Sequence, residues 1–93
     1  MVEKMLIVDE ERHIVRLLEV NLKRAGYAVV TACSRAEALE TARREIPDVI
    51  VLDEMLPWRQ EFLIALRADS ALKDIPVMTP GEFLRFRSPR RRR

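Results

Sequence analysis

The sequence predicts an α/β fold built as a doubly wound parallel sheet, and three observations carry that prediction. Two short runs, Met5-Leu6-Ile7-Val8 and Val49-Ile50-Val51-Leu52, are apolar throughout, the pattern of strands buried on both faces. Strand-like and helix-like segments alternate along the chain, which calls for parallel strands joined by helical crossovers. Both apolar runs also end on acid, Asp9-Glu10 after the first and Asp53 after the second. With 93 residues there is room for one hydrophobic core and no more.

The elements follow in order. Residues 5–8 form the first strand, which stops at Asp9-Glu10-Glu11. From Arg12 onward Ile14, Leu17, Leu18, Leu22 and Ala25 recur at spacings of three and four, one apolar stripe of a helix that Gly26 ends in the left-handed conformation. Residues 27–32 are β-branched and aromatic, a second strand. Ser34-Arg35-Ala36-Glu37 has the form of a capping box and opens a helix through Glu45, with Ala38, Leu39, Ala42 and Ile46 on its apolar side. Pro47-Asp48 breaks that helix before the third strand, residues 49–52. A loop containing Pro57 covers residues 54–59, a short helix covers 60–67, and residues 75–78 make a fourth strand. The order βαβαβαβ, with right-handed crossovers, places helices on both faces of the sheet.

After Thr79 the composition changes. Pro80-Gly81 reads as a breaker pair, and Arg85, Arg87 and Arg90-Arg91-Arg92-Arg93 dominate the remainder. The predicted organisation is a globular domain over residues 1–79 and a disordered basic tail over 80–93. The net charge of +2 hides this asymmetry: residues 1–78 hold 11 basic and 14 acidic side chains, about −3, and residues 79–93 hold 6 and 1, about +5.

Composition excludes several classes. At 48% hydrophobic and 34% charged, with two glycines and five prolines, the chain is neither collagen-like nor low-complexity nor wholly disordered. Its one cysteine, Cys33, has no partner for an internal disulfide, and with His13 as the one histidine a conventional multi-ligand zinc site is excluded. No apolar run approaches the ~20 residues that span a bilayer, and the first residues lack the apolar stretch of a signal peptide. A cytoplasmic protein with no membrane insertion is expected.

The acidic strand ends point to chemistry. In a parallel sheet with strand order 2-1-3 the first and third strands are neighbours, and their carboxyl ends frame the crevice where such folds bind ligands. Asp9, Glu10 and Asp53 would then converge. Two carboxylates ~4 Å apart repel by about 4 kcal/mol at an effective dielectric near 20, so a persistent cluster needs a cation or a proton. All-oxygen donors suit magnesium, and a carboxylate beside that ion can act as a nucleophile toward phosphorus. The residues alone leave a second reading open, in which the three acids are solvated strand ends.

Beyond the acids, the segments Met5-Leu6-Ile7-Val8-Asp9-Glu10-Glu11, Ile14-Val15-Arg16-Leu17-Leu18, Gly26-Tyr27, Ala36-Glu37-Ala38-Leu39, Pro47-Asp48-Val49-Ile50-Val51-Leu52-Asp53, Met55-Leu56-Pro57 and Asp74-Ile75-Pro76-Val77-Met78-Thr79 together make a specific pattern. Over residues 4–79 it resembles the receiver domain of bacterial two-component response regulators. The resemblance implies a flavodoxin-like sheet of order 2-1-3-4 and phosphotransfer from a sensor histidine kinase to Asp53. It also implies magnesium held by Asp9, Glu10, Asp53 and the backbone carbonyl of Met55, with Thr79 as the switch hydroxyl. At most, the resemblance implies self-catalysed phosphotransfer and autodephosphorylation as catalysis.

The chain departs from the family pattern at three places. Glu10 stands where aspartate is usual, Trp58-Arg59-Gln60-Glu61-Phe62 replaces a glycine-containing loop, and no lysine-proline pair follows Thr79. A truncated domain lacking the fifth strand and last helix is therefore expected, with only a faint echo of the later family segment in Gly81-Glu82-Phe83-Leu84 and Ser88-Pro89. Such a domain leaves one sheet face partly bare and predicts self-association through it, or reduced stability. A phosphorylation-incompetent pseudo-receiver acting by protein contacts is the alternative. A nucleotide or flavin binder is disfavoured because no glycine-rich loop follows the first strand.

Other conspicuous residues have plainer readings. His13 is a solvated side chain at a helix start, Cys33 a small half-buried residue without an activating base, and Trp58 a loop aromatic over the core. The terminal arginines offer nucleic acid at most a weak, salt-dependent attraction, with no interleaved aromatics to read a sequence.

Overall fold

A computed structural model of the chain describes residues 2–87. Its elements are β1 (Lys4–Val8), α1 (Arg12–Arg24), β2 (Ala28–Ala32), α2 (Arg35–Glu45), β3 (Val49–Leu52), α3 (Arg59–Ala68), β4 (Val77–Met78) and α4 (Pro80–Arg87). The four strands form one parallel sheet in the order β2-β1-β3-β4. Val8 is level with Ala32 on one side and Leu52 on the other, so β1 and β3 run out together at the same end.

The alternation of side chains along each strand divides the core in two. Leu6, Val8, Ile50 and Leu52 face α2 and α3, where they meet Ala38, Ala42, Phe62, Leu66 and Leu72. Met5, Ile7, Val49 and Val51 face the other way, onto Val15 and Leu22 of α1 and Phe83 of α4. A run of apolar residues with no polar member is what a strand covered on both faces requires, and all four residues of β3 are buried.

The helix ends follow from local chemistry. Gly26, at φ +100, closes α1 in a Schellman motif: its N–H donates to the Lys23 carbonyl at 3.0 Å, and the Tyr27 N–H to that of Leu22 at 3.1 Å. Ser34 caps α2 by accepting from the Glu37 N–H at 3.2 Å, while the Glu37 carboxylate takes the Cys33 N–H, one residue before the cap, at 2.8 Å. The other end of α2 is Ile46, a β-branched residue at φ 42, which Pro47 bars from continuing the helix.

Several expectations are corrected here. The buried ridge of α1 is Val15, Leu18 and Leu22, not the stripe through Ile14 and Leu17, which are 43% and 58% exposed. Ile46 turns outward at the end of α2 and is not part of its packed side. The fourth ladder is two residues long, because Ile75 lies in the preceding turn, where its carbonyl accepts from Arg67 Nη1 at 3.3 Å.

The largest correction concerns the boundary after Thr79. Residues 80–87 are not a disordered tail: they form α4, which lies against β3 and β4 on the α1 side and buries Phe83 edge-on to Tyr27, ring centroids 5.8 Å apart at 70°. On the α1 side, α4 thus covers the sheet at β3 and β4, where a partly bare face was expected. The physical reason is Phe83, whose aromatic area is buried only if the helix docks. The expected disorder of residues 88–93 lies outside the described residues.

Candidate functional site

The parallel ladder continues one residue past β1 and β3. Asp9 donates its N–H to the Ala32 carbonyl and Asp53 its N–H to the Val8 carbonyl, both at 3.3 Å. The sheet therefore sets Asp9 and Asp53 side by side at its carboxyl edge, on neighbouring strands, where the winding changes direction.

Asp9 is 7% exposed, and its Oδ1 accepts from the Glu11 N–H at 3.0 Å, turning the chain into α1. Burial pushes its carboxyl above the ordinary carboxylate value, the Glu11 N–H works against that shift, and the Asp53 charge adds to it. Two of the three predicted acids therefore feel one another. Asp53 is half-buried, and its Oδ1 faces the Met55 N–H at 3.4 Å, which bends the following loop so that Met55 stands 79% exposed.

Glu10 does not join them. Its side chain is exposed and its Oε2 accepts a 2.7 Å hydrogen bond from Nε1 of Trp58, the residue that precedes α3. Among the described residues no group of three or more His, Cys, Asp and Glu is gathered so as to hold a metal ion. Asp9 and Asp53 stand as a pair, and the longer glutamate side chain of Glu10 is bonded to the indole. The donors that are brought together, the two carboxylates, are hard oxygens and fit magnesium by chemistry.

Thr79 follows directly on Met78, which pairs with Val51, so it sits at the same sheet end as Asp53. Its role there includes one that the sequence reading missed. Thr79 Oγ1 accepts from the Glu82 N–H at 3.1 Å while the Thr79 N–H donates to Glu82 Oε1 at 3.0 Å, a reciprocal capping box that opens α4. The signal was present as Thr79-Pro80-Gly81-Glu82, with proline at the first helical position. Replacing Thr79 with alanine is expected to lower stability by about 1 kcal/mol, the usual cost of losing a side-chain cap, read as a shift in the urea midpoint. Thr79→Ser, which keeps the hydroxyl, should restore most of it.

The remaining candidates stand where the plainer readings put them. His13 is exposed on α1, and Cys33 is a free, half-buried thiol after β2. Among the described residues no helix is long and apolar enough to cross a membrane.

Comparison with known proteins agrees with the fold. The response regulator receiver domain family matches residues 5–79. The chain is 56% identical over 55 residues to the alkaline phosphatase synthesis transcriptional regulatory protein PhoP of Bacillus subtilis, covering 59% of this chain and 23% of PhoP. It is 42% identical over 78 residues to the probable transcriptional regulator ycf27 of Guillardia theta, covering 82% of this chain and 30% of the relative. The chain thus spans less than a third of the length of these two relatives. Among solved structures, the N-terminal domain of a response regulator receiver protein from Methanoculleus marisnigri superposes with a TM-score of 0.77 at 33% identity, covering 92% of this chain and 77% of that one. Chemotaxis response regulator CheY4 of Vibrio cholerae does so at 0.76 and 35%, covering 83% and 66%. With the sheet order and these matches in agreement, the chain belongs to the response regulator receiver domain family of two-component signalling.

Proposed function

We propose that the chain accepts a phosphoryl group on Asp53 from a sensor histidine kinase in the cytoplasm. The observation that carries this reading is the placement of Asp53 beside the buried, charge-stressed Asp9 at the carboxyl ends of the two central strands. In the transfer a carboxylate oxygen of Asp53 forms a bond to phosphorus as the phosphorus–nitrogen bond of a phosphohistidine breaks, and the leaving imidazole takes up a proton. Asp9, Asp53 and the Met55 carbonyl would hold magnesium, with Glu10 as a further donor. When bound, that ion neutralises charge on the transferring oxygens and on the acid pair. The Thr79 hydroxyl accepts from Glu82 but keeps its own proton, which is free to be donated to a phosphoryl oxygen at the same sheet end.

Glu10 bonded to Trp58 favours a second reading, a receiver-like module that binds other proteins without being phosphorylated. Incubating the chain with a small acyl phosphate and magnesium, then measuring its intact mass, decides between them. A magnesium-dependent gain of one phosphate that Asp53→Ala abolishes is the expected result. No gain in the unaltered chain supports the second reading.

A further inference from the structure

Trp58 and Glu10 reach each other from separate sides of the acidic end, Glu10 from the loop after β1 and Trp58 from the start of α3, 48 positions apart. The two partners are not equally free. Trp58 is half-buried with its ring edge-on to Phe62, centroids 6.1 Å apart at 86°, and Phe62 is wholly buried in the core. Packing fixes the indole. Glu10 is exposed, on a flexible stem, so the hydrogen bond places the glutamate rather than the tryptophan.

Electrostatics gives that placement a reason. Asp9 and Asp53 already repel each other, and a third carboxylate between them would add to the strain in the absence of a cation. An indole N–H is a donor only, and it satisfies one oxygen of Glu10 at a distance from the pair. Aspartate at this position would fall short of the indole by about one carbon–carbon bond, ~1.5 Å.

We propose that Trp58 is a positioning residue that holds Glu10 away from Asp9 and Asp53, so that Glu10 must leave the indole to reach a divalent cation. The proposal rests on the magnesium reading above. Its consequence is that cation affinity at the site is set by competition between the ion and the indole for one carboxylate.

Titration of the whole chain with magnesium chloride tests this by two readouts, calorimetric heat and the emission of Trp58, the only tryptophan in the chain. In the unaltered chain the emission is expected to change along the same isotherm as the heat. Trp58→Phe, which keeps an aromatic ring against Phe62, and Glu10→Asp are each expected to bind magnesium about tenfold more tightly, as follows from removing one competing hydrogen bond to a charged acceptor. Glu10→Asp should also lose the emission response. Binding seen only in the two variants supports the proposal as well.

Magnesium binding by the unaltered chain with unchanged emission, and with Trp58→Phe at the same affinity, overturns the positioning role and leaves the magnesium site standing. Tighter binding by Glu10→Asp alone overturns it too. Heat from none of the three chains removes the magnesium reading itself, and the proposal with it.

Discussion

Replacing Phe83 with alanine is expected to lower the stability of the domain by about 3–5 kcal/mol, the range for removing a large aromatic side chain from a closed core. That is a large share of the roughly 5–15 kcal/mol that holds a domain of ordinary stability together. Phe83 is 4% exposed and shares its cluster with Met5, Ile7, Val15, Val49 and Val51. The helix that carries it has 8 residues, too few to persist in water by itself, so packing rather than propensity keeps it formed. Once the ring is gone α4 has little to hold it, and the sheet face between α1 and β4 opens to solvent. The urea midpoint should fall, and sedimentation should show the variant associating more strongly than the unaltered chain, because an uncovered apolar face is then available. Leu84→Ala on the same helix is the control: at 57% exposed, its removal should stay within about 0.5 kcal/mol. A Phe83→Ala curve that overlays the original would mean that residues 80–87 are dispensable to the fold.

This dependence shows what a sequence makes legible and what it does not. Strands buried on both faces announce themselves through composition alone, so β1 and β3, and with them the positions of Asp9 and Asp53, were readable at once. Gly26 and Ser34 were readable for a similar reason, since each does something that few other residues can do at its position. The sheet-facing side of α1 was not, because Ile14, Val15, Leu17, Leu18 and Val20 make the apolar arc wide, and periodicity cannot choose which part of a wide arc meets the sheet. The segment after Thr79 was misread because Pro80-Gly81 serves equally as a breaker and as the first turn of a capped helix. What distinguishes them is a tertiary fact, the empty place against Tyr27 that Phe83 fills. The Trp58–Glu10 bond belongs to the same class, joining residues 48 apart whose meeting depends on how α3 docks.

Asp9→Asn is expected to move stability in opposite directions according to whether magnesium is present. Asparagine keeps the shape and the acceptor that holds the Glu11 N–H, and it removes a buried charge that Asp53 repels. In metal-free buffer near neutral pH the variant should therefore be more stable, by about 0.5–2 kcal/mol, the usual gain from relieving a charge conflict. For a domain of this size each kcal/mol raises the melting temperature by about 4–8 °C. The pH dependence has a definite sign. Burial first, and Asp53 after it, raise the Asp9 carboxyl in the folded chain above its ordinary value of 3.8, so the folded state holds a proton that the unfolded state has released. Stability from this group is therefore highest below 3.8, falls as pH climbs to the folded value, and stays low above it. Glu45, held down by Lys4 and Arg44, and Asp69, held down by the Ala71 N–H and Arg43, contribute the opposite slope and are untouched by the substitution. The difference between the two chains should thus be full near neutrality and shrink to nothing in acid. With magnesium at a hundred times its dissociation constant the unaltered chain gains about 2.7 kcal/mol by linkage, and the variant, with a neutral amide oxygen in place of a charged one, gains far less. The order of melting temperatures then reverses. An asparagine variant that melts lower without magnesium would mean that the Asp9 carboxylate is fully satisfied where it lies, and the acid pair would no longer explain why a cation should bind there.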